Sequence, residues 1–216
     1  MINLVVALPA EAKPVISRFG LTRVQPNLGF LLSFSLSFPL YRRGRIALVV
    51  TGPGRSAATA GTDFLATMGD CPQAAIWINL GVAGHAERQI GKVLLARSIT
   101  DANSGHVRHP ILPRDRPCPA DDLLTLDRPD PDYRHKGLAD MEASGFFSTA
   151  CRYADAELVQ VLKVVSDNRE TTARGLSAKQ VRLLIGGALA TLEALLASLE
   201  ALAEARHRAF GKQCDG

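Results

Sequence analysis

Ile2-Asn3-Leu4-Val5-Val6-Ala7-Leu8 runs directly into Pro9-Ala10-Glu11. The first stretch is a nearly continuous apolar run of strand length, the pattern of a strand buried on both faces. Proline suits the first turn of a helix, where its missing N–H has no partner to lose, and a carboxylate in that turn faces the positive end of the helix dipole. The junction therefore predicts a buried strand handing over to a helix, with Glu11 at the handover. Ligands in open α/β sheets bind beyond the carboxyl ends of the strands, so Glu11 stands where a site would be.

The same alternation continues along the chain. Leu31–Phe38 and Arg45–Val50 read as strands, joined as a hairpin across Pro39–Gly44. Thr51-Gly52-Pro53-Gly54-Arg55 then punctuates the chain before a small-residue helix from Ser56 to Met68. Ala74–Asn79 is another buried strand, followed by a glycine turn, Leu80-Gly81-Val82-Ala83-Gly84, and Val93–Ile99 is a further strand. Six of the twelve prolines fall between Pro110 and Pro131, so residues 103–137 read as an irregular segment, with Leu123–Leu126 as a short strand inside it. Asp140–Tyr153 has helical character, and Leu158–Val165 is an apolar strand ending at Ser166-Asp167-Asn168. Val181, Leu184, Ala188, Leu192, Leu195, Leu199 and Leu202 recur at helical spacing and predict one or two closing helices, their stripe serving as core. Strands alternating with helices indicate an α/β fold, and 216 residues suit one domain spanning 1–216.

Composition removes several classes of function. With 47% hydrophobic and 21% charged residues the chain is neither disordered nor fibrous. The net charge of +4 comes from 25 basic and 21 acidic residues, and the arginines are scattered, unlike the dense basic stripe of a nucleic-acid binder. The basic tail Arg206, His207, Arg208 and Lys212 reads as a solvated helix end. Cys71, Cys118, Cys151 and Cys214 form no C-x-x-C pair and are read as free thiols, with no metal site. The apolar start is too short to span a bilayer and lacks the features of a signal peptide, so a cytoplasmic location without a membrane span is expected.

Three carboxylates stand at strand ends or helix starts: Glu11, Glu142 and Asp167. Each taken alone could merely complement a helix dipole or cap the next segment. An α/β sheet can instead bring such positions to one edge. Pro9-Ala10-Glu11, Gly52-Pro53-Gly54-Arg55, Asn79-Leu80-Gly81-Val82-Ala83-Gly84, Asp140-Met141-Glu142-Ala143 and Ser166-Asp167 occur in an order that resembles the purine nucleoside phosphorylase and nucleosidase superfamily, most closely the methylthioadenosine/adenosylhomocysteine nucleosidase branch.

The resemblance implies a three-layer α/β/α sandwich with a central mixed sheet, a homodimer, and cleavage of the N-glycosidic bond of an adenine-type nucleoside without metal or organic cofactor. It also assigns roles. Asp167 matches the general acid that protonates N7 of the leaving base, and Ser166 would orient it. Glu142 matches the acceptor for the ribose hydroxyls, Met141 the residue packed on the sugar, and Glu11 the residue that holds the attacking water. Gly81, Val82 and Ala83 would bring backbone close to the substrate.

Charge bears on the nucleophile. Phosphate needs arginine forks or a nest of backbone donors. The arginines that the bacterial phosphorylases carry match Asn79 and the Pro9-Ala10-Glu11 segment here, which favours water. Gly52, Gly54 and Arg55 keep a phosphate site, and phosphate as co-substrate, open. The chain departs from the family in the 103–137 segment, where an aromatic that stacks on the base is normally placed. Tyr133 lies nearest in sequence, and Phe146 and Phe147 read as helix core. His85 replaces a glycine usual in the nucleosidases. A catalytically weak nucleoside-binding protein is the alternative outside enzymes, and dinucleotide binding is weak because Gly81-Val82-Ala83-Gly84 lacks the full G-x-G-x-x-G pattern.

Overall fold

A computed structural model describes residues 1–25, 38–68, 73–173 and 176–211. Its strands are β1 (Ile2–Val6), β2 (Thr22–Val24), β3 (Leu40–Arg43), β4 (Ile46–Val50), β5 (Ile76–His85), β6 (Val93–Asp101), β7 (Val107–Arg108), β8 (Ala120–Thr125), β9 (Leu138–Asp140) and β10 (Val159–Asp167). Its α-helices are α1 (Pro9–Phe19), α2 (Arg55–Thr67), α3 (Ala143–Ala150) and α4 (Ala178–Gly211). All ten strands join one mixed sheet.

β5 organises that sheet. Its first half lies between β1 and β10 in parallel register, Val5 opposite Asn79 and Val161 opposite Asn79 from the other side. Its last residues pair instead with β9, antiparallel, Gly84 opposite Ala139. Between Asn79 and Gly84 that edge of β5 has left β1 and not yet met β9. On the far side β10, β6, β8 and β9 follow one another back to β5, so five strands close into a ring from which β1, β4, β3 and β2 extend.

Several sequence expectations are corrected here. Leu80–Gly84 is not a turn: β5 runs through it to His85. The glycines serve close approach, since a Cβ on Gly81 would stand 3.0 Å from Glu11 Oε1 and one on Gly84 2.9 Å from Asp167 Oδ2. Asp140 ends strand β9 and does not begin a helix, because long-range pairing of Thr125 with Asp140 overrides local helical character; the helix spans only Ala143–Ala150. The hairpin joins β3 to β4 around Gly44 (φ 53°), so its first arm is Leu40–Arg43. Of the expected strand Leu31–Phe38, residues 31–37 lie outside the described residues, as do Cys71, Cys214 and Lys212. The 103–137 segment carries β7 and β8, and β8 is an interior strand between β6 and β9.

Two apolar clusters flank the sheet. Ala12 and Val15 of α1 share one with Val181, Ile185, Leu192, Leu195 and Leu199 of α4 and with Leu4, Ile78 and Leu162 of the sheet. Ala58, Phe64 and Leu65 of α2 and Phe146 and Phe147 of α3 share the other with Val5, Trp77 and Val161. Burying such side chains stabilises the fold by about 1.5–3 kcal/mol each. α4 is one helix of 34 residues, started by a capping box: Gln180 N–H donates to Ser177 Oγ at 3.3 Å, and Ser177 N–H to Gln180 Oε1 at 2.8 Å. By length and composition Ala178–Arg206 matches a membrane span, and one face of it, with Val181, Ile185, Leu192, Leu195 and Leu199, is buried against α1 and the sheet.

Candidate active site

Glu11 occupies the third position of α1, just beyond the carboxyl end of β1, and is only 2% exposed. Its Oε2 accepts from the backbone N–H groups of Ala7 (3.0 Å) and Leu8 (2.8 Å), which pins the strand-to-helix junction. Oε1 accepts from Val82 N–H at 2.9 Å. Val82 lies in the stretch of β5 that has neither β1 nor β9 as neighbour, so the Glu11 carboxylate fills the gap in the ladder. Burial pushes the Glu11 carboxyl above the ordinary glutamate range, against the pull of these three donors and of Lys163.

Lys163 is the buried cation of the site. It sits within β10, 1% exposed, with Nζ 2.9 Å from Asp140 Oδ2. Burial alone would lower its pKa, but Asp140, Glu142 and Glu11 outweigh that and raise it, so the ammonium stays charged. Asp140 is fixed on every side: Thr125 Oγ1 donates to Oδ1 at 2.8 Å and Ala143 N–H to Oδ2 at 2.8 Å. Glu142 holds the N-cap position of α3 and is 8% exposed. Its Oε1 accepts from Gly54 N–H at 2.8 Å. Gly54 has φ 102°, a conformation that glycine adopts freely and that turns its N–H toward the carboxylate. Burial raises Glu142 as well, Lys163 opposing and Asp140 reinforcing the shift.

Asp167 ends β10 opposite Gly84, and a register shift between Val165 and Asp167 aims it away from the regular ladder. Ser166 Oγ donates to Oδ1 at 2.5 Å and Tyr133 Oη to Oδ2 at 2.8 Å. Both carboxylate oxygens therefore receive a hydroxyl.

Glu11, Glu142 and Asp167 line one cavity of about 190 Å³, together with Met141, Ser166, Val82 and Ala83. Gly81 lies just behind that wall, where a Cβ would also meet Lys163 Nζ at 3.3 Å. Pro53 reaches the cavity, while Gly52, Gly54 and Arg55 do not line it. Gly52 N–H donates to Ala7 C=O at 2.9 Å, and Gly54 N–H is taken by Glu142. Arg55 pairs with Asp101 at 2.5 Å and with Asp127. The candidate anion site is thus a set of donors already engaged with carboxylates and backbone.

Sequence reasoning missed Lys163 and the role of Asp140. The signal was present: a lysine inside the apolar run Val159–Val165 can be buried only beside compensating charge. His85 also lines the cavity. Its Nδ1 accepts from Glu87 N–H (3.0 Å) and Arg88 N–H (3.1 Å), which leaves hydrogen on Nε2, 3.3 Å from Asp121 Oδ2. Phe146 and Phe147 are core residues. Asn79, where an arginine would favour phosphate, donates from Nδ2 to Val5 C=O at 3.1 Å.

No protein-family model and no curated protein matches the sequence. Solved structures do match. The apo structure of Arabidopsis thaliana 5′-methylthioadenosine nucleosidase superposes with a TM-score of 0.76 at 20% identity, over 92% of this chain and 95% of that one. An MTA/SAH nucleosidase gives 0.73 at 17%, over 92% and 95%. A futalosine hydrolase mutant of Helicobacter pylori strain 26695 gives 0.68 at 12%, over 90% and 97%. At these identities the likeness is one of fold, and this chain has the fold of the nucleoside phosphorylases and nucleosidases.

Proposed function

We propose that this chain hydrolyses the N-glycosidic bond of an adenine-type purine nucleoside. The observation that carries the reading is the convergence of Glu11, Glu142 and Asp167 on one cavity although they come from three distant segments. Asp167 gives its proton to N7 of the base as the C1′–N9 bond breaks, so the base leaves neutral; Ser166 orients that carboxyl. The sugar becomes cationic at C1′. Glu11, raised by burial and therefore a better base, takes a proton from the water that adds there. Glu142 offers acceptor oxygens to the vicinal ribose hydroxyls, and Met141 packs on the sugar.

Charge supports water over phosphate. Three buried carboxylates surround a single lysine, which favours a developing cation and repels a phosphate dianion. Arg55, the cation the sequence offers to a phosphate, is paired with two aspartates and does not line the cavity. The proposal uses no metal and no organic cofactor. It takes the sheet, the α1/α4 pair and the α2/α3 pair as the three layers of the fold. It also includes a homodimer, which a purely monomeric species in sedimentation would remove.

The test incubates the protein with methylthioadenosine, adenosylhomocysteine, adenosine and inosine, with and without phosphate, and quantifies free base. Release independent of phosphate and lost in Asp167→Asn is expected. Release only with phosphate, or an undiminished Asp167→Asn, overturns the reading.

A further inference from the structure

Tyr133 lines the cavity and bonds to Asp167. It is the one non-glycine residue with positive φ (48°) among the described residues, a conformation that a bulky aromatic keeps only where its surroundings over-determine it. Those surroundings are specific. Arg169 donates to the Tyr133 carbonyl at 2.9 Å, which ties this loop to the segment after β10. Ala173 N–H donates to Tyr133 Oη at 3.3 Å, and the phenol is 2.8 Å from Asp167 Oδ2. Ala173 N–H can only donate to Oη, so the acceptor beside the phenol hydrogen is Asp167 Oδ2. The ring is 5% exposed, and its Cε1 would stand 3.6 Å from a Cβ on Gly84.

We propose that Tyr133 is the positioning residue of the acid: its hydroxyl donates to Asp167 Oδ2 and stabilises the carboxylate that forms as the proton passes to the base. The proposal rests on the hydrolytic reading above. A protonated carboxyl oxygen keeps a lone pair for Tyr133 while its hydrogen faces the cavity. When that proton moves to N7, the Tyr133–Asp167 bond becomes charge-assisted and strengthens. An interaction that grows between ground state and transition state raises kcat and leaves substrate binding nearly unchanged. Tyr133 keeps its own proton throughout. Burial and the neighbouring Asp167 push its phenol up to about 12, with Asp130 adding to the shift.

The alternative role for an aromatic here is stacking on the base, and the two roles separate experimentally. Tyr133→Phe keeps the ring and removes the hydroxyl. Its kcat is expected to fall about 10- to 100-fold with KM within about twofold. A second readout is independent of turnover. The phenolate absorbance of Tyr133, assigned by its loss in Tyr133→Phe, is expected to appear at lower pH in Asp167→Asn, because the neighbouring carboxylate that raises the phenol is gone. Unchanged kcat, a change confined to KM, or an unmoved titration overturns the proposal. A wild-type protein that releases no base from any nucleoside removes the hydrolytic reading and this proposal with it. A wild type that turns over beside a Tyr133→Phe of equal kcat removes the role of Tyr133 alone.

Discussion

Lys163 is the residue on which the charges of the site balance. Its ammonium is enclosed with Asp140, Glu142 and Glu11 and is the counter-charge they share. Lys163→Met is therefore expected to cost about 3–5 kcal/mol in urea unfolding at neutral pH, the range for breaking one side of a buried pair. The loss shrinks toward acid pH, where the orphaned carboxylates take up protons; a loss equal at pH 5 and pH 8 would contradict the charge-balance account. Glu11→Gln tests the other side of the cluster. It is expected to lower turnover by about 10²–10⁴-fold, the usual contribution of a positioned base, while leaving the Ala7 and Leu8 contacts able to form. Glu11, Glu142 and Asp167 were visible in the sequence as carboxylates at strand ends or helix starts, and only the family resemblance singled them out from caps. Tyr133 was visible only as the nearest aromatic, since its partner is fixed by a loop without periodicity.

β5 is the element that converts the sheet into a site. Its glycines read locally as turn punctuation, yet they are strand residues whose missing Cβ atoms admit Glu11, Lys163 and Asp167. Local signals could not separate the two, because the reason for glycine lies in side chains from α1 and β10, far along the chain. β9 escaped notice for a similar reason: three residues suffice because β5 and β8 supply the pairing. α4 was legible from its leucine spacing, and β1, β4 and β10 from their apolar runs, since these patterns are local. Gly84→Ala tests the account of β5. Its methyl would stand 2.9 Å from Asp167 Oδ2, which Ser166 and Tyr133 hold in place, so the acid must shift. Turnover is expected to fall at least about tenfold while unfolding changes by only about 1–3 kcal/mol, the scale of modest overpacking. Full activity in Gly84→Ala would mean that Asp167 is free to move.

Across the whole molecule two sets of carboxylates respond to pH in opposite senses. Burial alone would raise Asp101, but Arg55, Ser144 and the backbone N–H groups of Ser104 and Asn103 hold it well below its ordinary value. Arg97 and Ser98 hold Asp122 down, and the Asp122 N–H, His85 and Arg88 outweigh burial at Asp121. These groups bind fewer protons folded than unfolded. Their stabilisation is complete above an ordinary aspartate value of 3.8 and is lost as the pH falls below it. Glu11 and Glu142 behave oppositely, since burial raises both above 4.5. Their folded forms hold protons more tightly than the unfolded chain, so their contribution is complete below 4.5 and is lost as the pH rises through the folded values. Stability of the ligand-free protein is therefore expected to be highest where both contributions are present, around the ordinary values of 3.8 and 4.5, and to decline on both sides. Urea midpoints measured from about pH 3 to pH 9 would show the dome. Asp101→Asn should flatten its acid side and Glu11→Gln its neutral side. A midpoint that climbs steadily from pH 5 to pH 8 would show instead that the backbone donors around Glu11 overcome burial, and that the carboxylate enters the reaction as a weaker base than its enclosure implies.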